Sequence, residues 1–491
     1  MNDLSPQKLL QHFFGYDSFR PSQSAIIDHI MAGKHAMVVM PTGMGKSLCY
    51  QIPALAIPEN DPSIVLVLSP LIALMQDQVD SLTRRGIDAT FVNSSLDRDS
   101  RLARYQALAS GAYRILFVTP ERFRKDDFRQ ALAGRRVSLL AIDEAHCVSQ
   151  WGHDFRPDYT RVGEIRQSIG NPTTLALTAT ATAECREDIY RQIGIDSSQI
   201  KLFHEGIDRP NLNLDVVPVY DEEEKMGRLC SLLRDADFRG GSVIVYFSLI
   251  KTLERFSDQL LATGIDHVCY HGDLPRKIRR RVQDEFMNGE TDLVLATNAF
   301  GMGIDKEDIR MVVHAETPGS IESYYQEIGR AGRDGLPSRC VWLYAQEDLM
   351  TQMQFIEWSN PDAAFYTRLY QLLVEHGEQC RAFGLEWMNG QLQRRSKHDH
   401  RLATAISILD RHGVVGGPRP PDCFDVLAPL PPLLQDDVRL AEKKRRDQQR
   451  LYAMVQLAAE QGDRKDFLTR YFSTGTLTPH HGLGDDVQAA E

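Results

Sequence analysis

The chain has no pair of cysteines at C-x-x-C spacing: its eight cysteines, at 49, 147, 185, 230, 269, 340, 380 and 423, stand singly. That excludes a zinc knuckle or a dithiol redox motif and leaves reduced, mostly buried thiols. A long apolar run is lacking too. The longest, Ile64 to Met75, is broken by Ser69-Pro70 and is too short to cross a bilayer, and Met1 to Gln11 is mixed and polar rather than a leader. A cytoplasmic protein without membrane partners is expected. Nor is there an excess of positive charge. With 56 Lys+Arg against 67 Asp+Glu the net charge is -11, so any nucleic-acid contact has to come from local basic patches. Arg276 to Arg281, Arg394 to Lys397 and Lys443 to Arg446 are such runs, and each reads equally as a solvated helix face.

With 491 residues, 42% hydrophobic and 25% charged, the chain is long enough for two or three globular domains with separate cores. Its most informative stretch is Met40-Pro41-Thr42-Gly43-Met44-Gly45-Lys46-Ser47, which ends the apolar run Ala36 to Met40 and opens a helical pattern through Tyr50. A strand, a glycine loop and a helix in that order let backbone N–H groups face an anion at a helix amino terminus. Lys46 is placed to meet β- and γ-phosphates, and Ser47 to offer a hydroxyl to Mg²⁺. The pattern G-x-x-x-x-G-K-[ST] is met except at its first glycine, where Met40 stands. That departure is tolerable if no positive φ is needed there. The competing reading is a chance glycine turn before a surface lysine.

Upstream, Phe14-Gly15-Tyr16-Asp17-Ser18-Phe19-Arg20-Pro21-Ser22-Gln23 precedes a helical pattern from Ser24 to Met31. An aromatic, an arginine and an amide ahead of a phosphate loop suit a purine base; a core aromatic beside a helix cap explains them as well. Downstream, apolar segments alternate with helical ones: Ile64 to Leu68, a helix over Leu71 to Arg84, Ala89 to Val92, a helix over Arg98 to Ala109, Ile115 to Val118, and Leu139 to Ile142. Such alternation predicts a parallel sheet with crossover helices and ligands at the carboxyl ends of the strands. The last segment runs into Asp143-Glu144-Ala145-His146. A carboxylate at the end of a buried strand is costly unless it meets a cation or donors, so Asp143 suits Mg²⁺ and Glu144 suits the activation of water. Next come three aromatics, Trp151, Phe155 and Tyr159, interleaved with His153 and Arg156, which suit stacking on bases or a small loop core. Leu175 to Leu177 then reads as a strand ending in Thr178-Ala179-Thr180-Ala181.

A domain boundary is expected near Gly206 to Leu212, where Arg209-Pro210-Asn211 breaks periodicity. A second α/β set follows, with strands at Val243 to Phe247, His267 to Tyr270, Leu293 to Ala296 and Met311 to His314, and no second phosphate loop. It ends in Gln326 to Gly335, where Arg330 and Arg333 lie on one side of a helical turn. Arginines presented across a cleft neutralise charge in phosphoryl transfer; an internal salt bridge is the plainer alternative.

Taken in order, these motifs resemble a superfamily 2 helicase, specifically the RecQ family of DNA helicases, from Phe14 to Gly335. The resemblance implies two tandem RecA-like α/β domains with parallel sheets, over 1–205 and 206–348, followed by a mostly helical carboxyl region. It implies ATP and Mg²⁺ as cofactors. Tyr16 would lie on the adenine ring, Gln23 on its polar edge and Arg20 nearby, with Thr42, Gly43, Met44, Gly45, Lys46 and Ser47 around the phosphates. Lys46, Asp143, Glu144, His146, Arg330 and Arg333 form the implied catalytic set, and Gly303 and Asp305 join the nucleotide site. Trp151, Phe155, Arg156, Ser69, Thr119 and Thr297 are the implied nucleic-acid contacts. The activity implied is 3′-to-5′ translocation on single-stranded DNA with unwinding of tailed duplexes, in repair or recombination. Single-strand-binding or repair proteins are the implied partners of a monomer. An RNA helicase of the same superfamily, or a translocase or annealing protein that does not unwind, are the alternatives.

The last third departs from the family. Arg450 to Phe472 is similar to the helical hairpin of its zinc module, yet Asp463 stands where the first zinc cysteine is expected and the following cysteine cluster is missing. A zinc-free hairpin over 438–475, held by apolar packing, is therefore expected, with a flexible tail over 476–491. Residues 349–437 read as an inserted helical segment. Phe365 to His376, Arg401 to His412 and Val414-Val415 allow a winged-helix-like unit in which Arg394, Arg395 and Lys397 meet phosphates, or a plain helical insertion. Pro418 to Pro432 reads as an extended linker.

Overall fold

The computed structural model describes residues 5–70, 72–93, 95–149, 159, 161–235, 240–301, 304, 306–392, 399–419 and 423–474. Seven strands form the first sheet: β1 His35–Val39, β2 Ser63–Leu68, β3 Ala89–Val92, β4 Ile115–Val118, β5 Arg136–Ile142, β6 Thr173–Thr178 and β7 Ile200–His204. Their order is β3-β4-β2-β5-β6-β1-β7, and every pairing is parallel. The central strands read as unbroken apolar runs because both faces are covered. Met37 and Val39 enter one core with Leu66 and Leu140, while Ala36, Val38 and Met40 enter the other with Val65 and Val67.

The second sheet repeats this plan with β8 Leu212–Pro218, β9 Ser242–Tyr246, β10 Val268–Tyr270, β11 Leu293–Ala296, β12 Ile309–His314 and β13 Ser338–Tyr344. Its order is β10-β11-β9-β12-β13-β8, again all parallel. Ile244, Val294 and Val312 face one core, and Val245, Leu295 and Val313 face the other. β7, β8 and β13 have no counterpart among the strands expected from sequence.

The carboxyl region has its own core. Helices Ala363–Glu375, Gly377–Leu392 (broken at Gly384, φ 67°) and Arg401–Arg411 pack Phe365, Leu369, Met388 and Ile406 together. A hairpin of β14 Val415–Arg419 and β15 Cys423–Val426, paired antiparallel, closes this unit. The unit is thus three helices followed by an antiparallel hairpin. It corrects the reading of Pro418 to Pro432 as an extended linker: that segment supplies β15 and the helical turn Pro432–Leu434, with Leu430 and Leu434 in the core.

Helices Asp437–Ala459 and Arg464–Thr474 form the terminal hairpin. It has no separate core. Met454, Leu457, Phe467 and Phe472 are buried in the second sheet's core beside Tyr325 and Ile328. Asp463, at the position of the expected zinc ligand, accepts the Lys465 N–H at 2.8 Å and so caps the last helix. Among the described residues no group of three or more His, Cys, Asp or Glu side chains is arranged to hold a metal. No described helix is long and apolar enough to cross a membrane.

Candidate active site

β1 delivers the glycine loop. Met40 is fully buried and its N–H donates to the Thr178 carbonyl at 3.0 Å, so this position continues the strand and needs no glycine. Gly43 (φ 81°) and Gly45 (φ 75°) take the left-handed turns that follow, before helix Leu48–Leu55 begins. The loop is held from outside. Gln23 donates to the carbonyls of Met44 (3.0 Å) and Gly45 (3.1 Å), and Arg20 donates to the Gly43 carbonyl at 3.0 Å. A Cβ on Gly45 would come within 2.5 Å of Gln23 Nε2, so a side chain there would displace the amide that grips the loop. Tyr16 is 56% exposed, and no described contact ties it to the loop.

Lys46 lies along the loop, with Nζ 2.8 Å from the Met40 carbonyl and 3.3 Å from that of Pro41. Burial pulls its pKa down, opposed by the carboxylates of Glu144 and Asp143. Asp143 leaves the end of β5, where burial, with Glu144 beside it, pushes its carboxyl well above the usual range against the pull of Lys46. The next residue, Glu144, has a left-handed backbone (φ 48°, ψ 50°), a conformation costing a non-glycine residue on the order of 1–2 kcal/mol.

β6 lies between β1 and β5 in the sheet, so Thr178 at its end stands between the loop and the carboxylates. Its hydroxyl donates to the Thr180 carbonyl at 3.0 Å, and its oxygen lies 3.0 Å from His146 Nδ1. A hydroxyl carries one proton, so His146 must donate from Nδ1. The same nitrogen is 3.4 Å from Glu144 Oε2. His146, 3% exposed, is thus tied to the end of β6 and lies beside the Glu144 carboxylate, whose buried Oε2 has no hydrogen-bond partner among the described residues.

The two arginines divide. Arg330 turns into its own domain and donates to the Gly301 carbonyl. Arg333 crosses the cleft: a Cβ on Gly43 would lie 3.2 Å from its Cγ, and Gly329 approaches Thr42 in the same contact. This turn is braced by residues that the sequence marks only as a domain boundary. Arg209 donates to the carbonyls of Gly329 (3.3 Å), Ala331 (2.7 Å) and Gly332 (2.9 Å), and Asn211 Nδ2 to those of Gly332 (2.8 Å) and Leu336 (2.9 Å). The only local signal was an arginine and an amide flanking Pro210.

A model described as DEAD/DEAH box helicase matches residues 20–188, and one described as helicase conserved C-terminal domain matches residues 224–335. The protein named ATP-dependent DNA helicase RecQ of Bacillus subtilis (strain 168) is 43% identical over 380 residues, 76% of this chain and 62% of its own. The probable ATP-dependent DNA helicase RecS of the same organism is 39% identical over 375 residues, 76% of this chain and 73% of its own. The chain belongs to the RecQ family of superfamily 2 helicases.

The chain spans 62% of the Bacillus RecQ protein and 53% of the one from Haemophilus influenzae. A solved structure of Mycobacterium smegmatis helicase Lhr bound to ssDNA and AMP-PNP aligns with a TM-score of 0.57 at 19% identity, over 75% of this chain and 52% of its own, which shows a shared fold. In this RecQ-family chain the residues read as DNA contacts sit at strand ends. Ser69 follows β2, Thr119 follows β4 and Thr297 follows β11, all less than a tenth exposed. Trp151, Phe155, Arg156, Gly303, Asp305, Arg394, Arg395 and Lys397 lie outside the described residues. Of the other basic runs, Arg280 and Arg281 pair with Asp284 and Glu285 along their helix. Lys443 and Lys444 tie the terminal hairpin to Asn360 and Glu357.

Proposed function

We propose that this chain is an ATP-dependent DNA helicase that moves 3′ to 5′ on single-stranded DNA and separates tailed duplexes, in repair or recombination. The observation that carries the reading is the meeting of Arg333, from the turn before β13 of the second sheet, with the phosphate loop that follows β1 of the first.

The residues present fit a nucleotide with Mg²⁺. Glycines at positive φ leave a cradle that a Cβ would fill, an ammonium lies along it, and a buried carboxylate of raised pKa stands opposite with a hydroxyl, Ser47, at the helix start. Asp143 and Ser47 would hold Mg²⁺, which supplies charge neutralisation to the phosphates. Lys46 binds and orients the phosphates. Glu144 takes the proton of the attacking water; His146, held by the Thr178 hydroxyl, lies beside its carboxylate. Arg333 adds positive charge only when the two sheets are held together, so hydrolysis depends on the cleft being closed. Release of that contact lets each domain change its grip on a strand running past Ser69, Thr119 and Thr297.

Two substitutions separate binding from chemistry. Glu144→Gln keeps affinity for a fluorescent ATP analogue and lowers turnover about 100-fold or more, the scale of a lost general base. Lys46→Ala loses affinity itself. Near-normal turnover by Glu144→Gln contradicts the assignment.

A further inference from the structure

The terminal hairpin is joined to the helix that ends in the arginine turn, Ile321–Ile328, by more than apolar packing. Phe472 meets Tyr325 edge-on, ring centroids 5.3 Å apart, and inside this apolar joint sits a charged cluster. Glu322, on the first turn of that helix, is 6% exposed. The Tyr471 hydroxyl donates to Glu322 Oε1 at 3.0 Å, and Arg450 Nε lies 3.8 Å from the same oxygen. Arg450 Nη1 also donates to Asp447 Oδ1 at 3.3 Å, which aims the guanidinium from its own helix. A buried ion pair adds little net stability over apolar side chains of the same volume, but it fixes one relative placement of the elements that carry it.

The same hairpin reaches the first domain. Its last helix packs on helix Ala183–Ile193, where Arg446 feels the charge of Asp188 and Cys185 feels those of Arg450 and Glu322. Asp188 in turn accepts from the Ser149 hydroxyl at 2.8 Å, three residues beyond His146. The cluster therefore stands where the hydrolytic segment of one domain, the arginine helix of the other and the hairpin meet.

We propose that Arg450, Tyr471 and Glu322 are positioning residues that lock the arginine helix to the hairpin and thereby hold Arg333 at the phosphate loop. The hairpin acts on hydrolysis through this lock. The inference rests on the reading of the chain as a DNA-stimulated ATPase.

The test uses the full chain, with Arg450→Met and Tyr471→Phe made alone and together with Arg333→Ala. It measures kcat and KM for ATP at saturating single-stranded DNA and affinity for a fluorescent ADP analogue. Arg450→Met is expected to lower kcat about tenfold with analogue affinity within about twofold, and Arg450→Lys to recover part of the loss. Tyr471→Phe, which keeps its ring in the core and so guards against a misfolded Arg450 variant, is expected to lower kcat about threefold. In the Arg333→Ala background neither substitution should cost more, because their effect is already gone. Equal losses in both backgrounds, or a kcat untouched by both substitutions, would overturn the proposal. A parent chain that hydrolyses no ATP with DNA overturns the functional reading first, before any substitution is compared.

Discussion

Gly45 faces Gln23 so closely that a side chain there would displace the amide that grips the loop, and its φ of 75° is one that alanine resists. Gly45→Ala should therefore weaken nucleotide binding by at least the 1–2 kcal/mol of a forced left-handed alanine, roughly tenfold or more in Kd by titration with a fluorescent analogue. Gln23→Ala leaves the backbone free to relax; a several-fold rise in KM for ATP with the melting temperature nearly unchanged is expected. Asp143 and Glu144 drew the reading because each is a charge set at the end of an apolar strand, an arrangement that burial alone penalises, and Lys46 because it closes a glycine loop before a helix. Met40 was legible too, as a position continuing the strand. Arg209 and Asn211 were not. Their acceptors lie about 120 residues downstream, and nothing local distinguishes them from a linker.

Strands with a continuous apolar run announced themselves, the edge strands β3 and β10 among them, whereas the edge strands β7 and β8 did not. β7 and β8 lie at sheet edges with Lys201, Asn213 and Asp215 interrupting their apolar residues, so neither alternation nor a continuous run survives. β13 does carry a continuous run, Cys340 to Leu343, but follows the Arg333 turn so closely that the motif drew the reading instead. β14 begins at Val415, where a strand or wing was expected, but Gly416, Gly417 and Pro418 hide its extent behind residues that usually mark a loop. Two consequences belong to elements. Arg209→Ala removes three donors from the arginine turn, and should lower kcat about tenfold with less change in ATP affinity, since it acts on Arg333 and not on the loop. Phe472→Ala opens the joint between hairpin and second sheet. A loss of about 3–5 kcal/mol is expected from a buried phenylalanine, read as the midpoint shift in urea at constant slope.

For the whole molecule, the two parallel sheets bring strand ends to a common cleft, and only their contact completes the site: Lys46, Asp143 and Glu144 come from one, Arg333 from the other. On the proposed reading, hydrolysis is thereby tied to domain closure, which is what a motor requires. The net charge of -11 makes DNA binding depend on local contacts, so affinity should fall steeply as salt is raised. The most direct measurement is ATP-driven release of a labelled strand from duplexes with a 3′ or a 5′ single-stranded tail, run beside ATP hydrolysis with single-stranded DNA, duplex DNA and RNA. A 3′-to-5′ DNA helicase releases the strand from the 3′-tailed substrate only with ATP, and its hydrolysis is stimulated by single-stranded DNA. Stimulation by RNA alone, or no strand release despite DNA-stimulated hydrolysis, would contradict it.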